Sequence, residues 1–205
     1  MTEVVYGRRP VLEALRGRRE VGQVWCTARS RESLDWLPER VSVEPPERLD
    51  ARAGSEEHQG VVAEVAPYPY AGAAEVLGGE RPLVVALDEV TDPHNLGAVA
   101  RVAECAGAGG LVMTRRRSAA VTAAVCRASA GAVEHLRIAR VENLAEFLLD
   151  AKRPGLWSYA AAAVLTFSDS IRPPSGIATS WSHDERTRGL SPRPSAPRTK
   201  TAPSR

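Results

Sequence analysis

The sequence predicts an α/β protein built as two units with an unstructured tail, and three observations lead there. From residue 83 to about 163, apolar runs of strand length alternate with amphipathic stretches of helix length, the rhythm of an open parallel sheet. A shorter α/β pattern occupies residues 1–66, set apart by a Pro- and Gly-punctuated stretch at 67–82. Past Ala163 neither a period of 2 nor one of 3.6 survives, and Ser, Pro, Thr and Arg dominate. A chain of 205 residues that is 43% hydrophobic and 25% charged can bury a real core and reads as soluble and globular.

In the first unit, YGRRPVLEALR (6–16) sets Val11, Leu12 and Leu15 at helical spacing. Arg8, Arg9, Arg16, Arg18 and Arg19 surround them. VGQVWCT reads as a strand, SRESLDWL as a short helix opened by Ser30, and VSVE as a second strand. EEHQGVVAEVAPY leads into a third, and residues 67–82 then behave as a linker. The second unit opens with LVVALD, a continuous apolar run as expected of a strand buried on both faces. Residues 95–107 read as a helix, GLVMT as a strand, and SAAVTAAVCRASAGA as helical. EHLRIARV reads as a strand, NLAEFLLDAKR as an amphipathic helix, and GLWSYAAAA as a fourth strand.

The net charge of +2 conceals an asymmetry. Seven of the 27 basic and three of the 25 acidic residues lie past Ala163, leaving a slightly acidic body of 20 against 22. Nucleic-acid contact must then come from local basic clusters, because no global field exists. No apolar run reaches the ~18–20 residues of a membrane span, and Met1-Thr2-Glu3 opens no signal peptide, so a cytoplasmic protein without a membrane partner is expected. Cys26, Cys105 and Cys126 are odd in number and lack CxxC spacing, which suits buried thiols in a reducing compartment. None of the four histidines has metal-ligand spacing, so no metal is expected. His58-Gln59-Gly60 reads as a turn with side-chain hydrogen bonds rather than a catalytic site, and His135 fits a strand edge.

Chemistry concentrates in LDEVTDPHNLGAVARVAECAGAGGLVM, which begins at Leu87. A loop at the carboxyl end of a parallel strand is where open α/β sheets bind ligands. Asp92-Pro93 can cap a helix with proline at its first position, and Asn95 could cap it one step later. Gly97 lets a partner approach the backbone, and Arg101 supplies a forked cation suited to phosphate. Spacing alone favours an ordinary capped helix with a surface arginine. No GxGxxG follows LVVALD, which disfavours a dinucleotide enzyme. Arg115, Arg116 and Arg117 follow GLVMT at a ligand-facing strand end, where they form either a solvated charge run or an RNA contact.

Asp88, Asp92, Pro93, Asn95, Gly97 and Arg101, spaced Asp-x-x-x-Asp-Pro-x-Asn-x-Gly-x-x-x-Arg, resemble the first motif of the SpoU (TrmH-like) RNA ribose 2′-O-methyltransferases. The similarity continues through RRRSAAVTAAVCRASAGAVEHL. YGRRPVLEAL and EEHQGVVAEV are similar to the substrate-binding domain of the branch that modifies a 23S rRNA guanosine, so the resemblance covers about residues 4–163. It implies a small amino-terminal RNA substrate-binding domain (1–66) and a SPOUT-type parallel-sheet domain (83–163). It also implies a knotted carboxyl-terminal segment, S-adenosylmethionine as cofactor, homodimers with shared active sites, and ribosomal RNA as partner. Asn95 and Arg101 match the family's asparagine and catalytic arginine, while Asp88, Asp92, Pro93 and Gly97 shape the motif. Arg8, Arg9, Arg115, Arg116 and Arg117 are the expected RNA contacts, and His94 occupies a variable position of the pattern.

Two further motifs of the family, a Gly-Ser/Asn-Glu-x-x-Gly loop and a Ser-Leu-Asn-Val stretch, do not follow GLWSYAAAA. The abrupt change to a Pro/Ser/Arg tail, in a chain with two lysines (Lys152 and Lys200) among 27 basic residues, suits a truncated or frameshifted member. Residues 164–205 are then an out-of-frame, disordered tail, the cofactor-binding residues are unidentified, and this chain does not hold the cofactor at physiological levels. The alternative function is a catalytically inactive relative that only binds RNA.

Overall fold

The computed structural model describes residues 2–78, 82–152 and 156–160 with their side chains, and the backbone of 177–179. The first unit comprises β1 (Glu3–Tyr6), α1 (Arg8–Arg16), β2 (Val21–Cys26), α2 (Ala28–Ser33), β3 (Ser42–Val43), α3 (Pro46–Ala53) and β4 (Val61–Val65). Its sheet runs β1-β4-β2-β3, antiparallel except for the β2–β3 pair. β4 sits inside because Val61, Val62, Ala63 and Val65 are all fully buried.

Two elements of this unit were not expected. β1 is a four-residue strand at the amino terminus whose period cannot show, and its register is set by pairing Glu3 with Val65 and Tyr6 with Val62. α3 starts with Pro46 at its first turn and stops at Gly54, whose φ of 63° is the left-handed conformation that glycine adopts without cost. Leu49 is its one buried anchor. In α2 the cap is Thr27, not Ser30, since the Thr27 hydroxyl accepts the Ser30 N–H at 3.2 Å and the helix begins earlier.

The second unit comprises α4 (Ala73–Val76), β5 (Val84–Leu87), α5 (Pro93–Cys105), β6 (Gly110–Thr114), α6 (Ala123–Ala128), β7 (Arg137–Val141), α7 (Leu144–Asp150), β8 (Ser158–Ala160) and β9 (Ile177–Thr179). Every neighbour in its five-stranded sheet, β7-β6-β5-β9-β8, is parallel. The expected parallel sheet is therefore present, with β5 and β6 buried on both faces. β9 lies within the stretch read as a disordered tail, and its Ala178 and Thr179 pair with Val85 and Ala86 of β5. The segment expected to thread a knot falls outside the described residues.

α6 is shorter than the helix read across residues 118–132. Its would-be first turn is drawn away, because the Ala119 N–H donates to the Val90 carbonyl (2.8 Å) and the Val121 N–H to the Tyr70 hydroxyl (2.9 Å). A 3-10 turn at Ala132–Glu134 follows, and β7 begins only at Arg137, so His135 precedes the strand instead of edging it.

The described residues 67–78 of the stretch read as a linker pack against the second unit. The buried Tyr68 hydroxyl lies 2.8 Å from both the Val133 and Leu136 carbonyls. Ala71 donates to the Ile138 carbonyl at 2.9 Å, and Val76 of α4 is buried in the second unit. Core side chains of the first unit, such as Val5, Val11 and Val65, belong to one contiguous cluster with Leu96, Val125 and Val133 of the second.

At the junction sits a buried charge. Arg19 reaches Glu3 at 2.5 Å and the Ala66 carbonyl on its own side, and Glu134 at 3.1 Å on the other. Arg18 also donates to the Leu136 carbonyl, and His135 meets Glu13 at 2.8 Å. Burial is the main force on the Glu134 carboxyl, opposed by the Arg19 guanidinium.

Candidate active site on the helix after β5

Asp92 and Pro93 do what local chemistry predicts. The Asp92 carboxylate accepts the His94 N–H at 3.0 Å, and Pro93 fills the first helical position, where no N–H is needed. Asn95 lies inside α5 and is not a second cap. The helix turns Leu96, Gly97, Ala100 and Ala103 into the core and leaves Arg101 exposed. Arg101 makes no hydrogen bond or ion pair with another described residue.

The partner that approaches the Gly97 backbone lies within the same chain. A Cβ built there would lie 2.9 Å from the Ser129 nitrogen and still closer to the Ala128 Cβ. The backbone that approaches it is the end of α6 in the same chain, so no ligand occupies that space. This contact seats Arg101, one turn further along α5, beside α6.

Asn95 and Arg101 are not brought to one point. Six residues of α-helix separate them by about 9 Å along the axis and about 120° around it. Asp88 directly follows β5, and burial, then the neighbouring Glu89 carboxylate, raise its carboxyl above the usual range. It lines a cavity of about 310 Å³ with Ala86, Leu144, Leu148, Ser158 and Tyr159. That cavity offers apolar walls, a carboxylate and hydroxyls. It does not by itself fit S-adenosylmethionine, because its lining has no cation for the amino-acid carboxylate of that molecule.

The other predicted positions scatter. Arg8 stands beside the 58–60 turn, its backbone N–H on Gln59 Oε1 (3.1 Å) and its Nε on the Gln59 carbonyl (3.2 Å). Arg9 is solvent-facing with a loose pair to Glu13 at 3.7 Å. Arg115 pairs with Glu142 (3.2 Å) and Arg117 with Glu89 (2.8 Å). Arg116 is exposed and has no hydrogen bond or ion pair among the described residues.

His58 is the turn residue anticipated: buried, its Nδ1 accepts the Gly60 N–H at 2.8 Å and its Nε2 faces Asp50 at 3.0 Å. Cys26 and Cys126 are buried, whereas Cys105 is exposed at the end of α5, against expectation. Among the described residues no group of three or more His, Cys, Asp or Glu could hold a metal ion, and no helix is long and apolar enough to cross a membrane. Sequence reasoning missed Arg19 and Glu134. Arg19 stands between Arg18 and Glu20, and Glu134 between Val133 and His135, so nothing local marks them as partners.

Comparison with known proteins follows the same two units. The SpoU rRNA Methylase family matches residues 82–175, running past Ala163, and the RNA 2′-O ribose methyltransferase substrate binding family matches residues 4–71. A putative TrmH family tRNA/rRNA methyltransferase of Bacillus subtilis is 34% identical over 76% of this chain and 67% of its own length. An uncharacterized tRNA/rRNA methyltransferase of Synechocystis is 33% identical over 85% of this chain, which spans only 50% of that protein. Among solved structures, the AdoMet-bound rRNA methyltransferase of Sinorhizobium meliloti superposes with a TM-score of 0.62 at 21% identity, covering 87% of this chain and 69% of that one. The SpoU methyltransferase AviRb of Streptomyces viridochromogenes, in complex with AdoMet, gives 0.62 at 22% identity over 86% and 71%. The sheet order, the capped helix with its arginine and these matches agree, and the chain belongs to the SpoU (TrmH-like) family of RNA methyltransferases.

Proposed function

We propose that the protein serves methyl transfer from S-adenosylmethionine to a ribose 2′-hydroxyl of ribosomal RNA, with Arg101 and Asn95 facing the RNA. Arg101 carries the reading: an unpaired guanidinium on a capped helix at the carboxyl end of a buried parallel strand. A ribose hydroxyl is a weak nucleophile until its proton is drawn off and its neighbouring phosphate is held still. The forked guanidinium holds that phosphate and offsets the charge that builds up in transfer. Arginine does not deprotonate in proteins, so the proton passes to a substrate phosphate or to water. Asn95, two turns away, orients a different group. S-adenosylmethionine would supply an electrophilic methyl when bound, and no described residue is assigned to hold it. RNA substrates of this kind place the protein in the cytoplasm.

Titration calorimetry with S-adenosylmethionine, alongside transfer of labelled methyl to ribosomal RNA, tests this. Cofactor binding and label at a ribose 2′-oxygen are expected of the enzyme. RNA binding with no cofactor heat identifies the alternative, a relative that only binds RNA, and label on a base would sink the ribose reading.

A further inference from the structure

The two units meet at a surface cation, Arg127, to which the motif resemblance assigns no role. Arg127, near the end of α6, extends from the second unit toward the first, with its guanidinium 5.9 Å from the centre of the Tyr6 ring and ion-paired with Glu57. Tyr6 ends β1 directly before Arg8 and Arg9 of α1. Glu57 lies in the turn that also carries Gln59, the residue to which Arg8 is tied. On the other flank of α6, Ala128 presses on Gly97, one turn before Arg101. Arg8 and Arg127 therefore both meet the 56–59 turn, and α6, which carries Arg127, packs against α5, which carries Arg101.

The Arg127–Glu57 pair is open to solvent, Glu57 being 65% exposed and Arg127 33%. Such a pair is screened and weak, whereas a phosphate offers the guanidinium a doubly charged-assisted, forked contact. Tyr6 keeps the guanidinium plane oriented when its counter-ion changes.

We propose that Arg127 is an RNA-phosphate contact at the junction of the units, carrying the strand from Arg8 and Arg9 toward Arg101, and that Glu57 occupies it until a phosphate takes its place. This rests on the reading of the protein as an RNA methyltransferase. The competing role is a plain strut between the units, and two variants separate the roles because both break the ion pair while only one removes the cation.

The experiment measures binding of the full chain to a ribosomal RNA fragment by fluorescence anisotropy across a salt series. Arg127→Ala is expected to weaken binding roughly three- to tenfold near physiological salt and to flatten the log–log salt slope by about 0.7 to 0.9, the signature of one lost phosphate contact. Glu57→Gln is expected to bind as tightly as the parent or tighter, and Arg127→Lys to recover most of the lost affinity. Melting temperatures of all three should stay near the parent's. Equal weakening in Arg127→Ala and Glu57→Gln, or an unchanged affinity and slope in Arg127→Ala, overturns the proposal. A parent chain that binds no RNA overturns the RNA reading itself, which is a separate result from a binding parent with an indifferent Arg127→Ala.

Discussion

Arg101 shows how little of a functional residue's environment is local. The sequence places it on a helix behind a cap, and the structure adds that nothing within the described residues occupies its guanidinium. In a chain that carries the family's complete motifs, Arg101→Lys keeps the charge and loses the fork. Turnover should fall by roughly two orders of magnitude, the scale of a preorganised transition-state donor, while cofactor affinity stays unchanged. Methyl transfer and cofactor titration on the same variant check both halves. Full activity, or a loss explained by weaker cofactor binding, would mean the arginine has another task. Asp92 was legible because its partner, the His94 N–H, is two residues away. Which group approaches Gly97 was not legible, because its partners, Ala128 and Ser129, are distant in the chain.

Among elements, the α5–α6 contact positions the site. Two helices can approach this closely only where one presents no side chain, and Gly97 is that gap. Gly97→Ala is expected to destabilise the fold by about 1–3 kcal/mol, because the added methyl meets backbone that cannot yield locally. Urea unfolding of the variant gives the number, and undiminished stability would show that α6 shifts freely. The boundaries of α6 itself were not readable. Ala-rich sequence favours helix, but Ala119 and Val121 donate their N–H groups to Val90, in the loop after β5, and to Tyr70, both of which reach α6 only through the tertiary fold.

For the molecule as a whole, Arg19 fixes how the two units sit. A buried guanidinium with two carboxylates and a carbonyl has few alternative arrangements, so it sets register as well as adding energy. Arg19→Met should cost about 3–5 kcal/mol by leaving Glu134 buried without its cation. One Glu134 oxygen already lacks a partner among the described residues, so little can rescue it. Thermal unfolding with limited proteolysis checks this: the variant should melt lower and be cut first within residues 67–70, which Tyr68 otherwise pins. Unchanged melting and protection would mean that the apolar cluster alone holds the units together.

By itself the sequence determined whatever depends on neighbours along the chain. The cap at Asp92-Pro93, the fully apolar β5, the parallel alternation that follows it and the amphipathic α1 all come from propensity and period, which act over a few residues. Only the tertiary structure decided that β1 is a strand, because it becomes one by pairing with β4. The same is true of the packed residues 67–78, of Gly97 against α6, and of Arg19 between Glu3 and Glu134. Each is a contact between residues far apart in sequence, where the free energy lies in mutual burial and desolvation, and no local pattern records which distant group will be there.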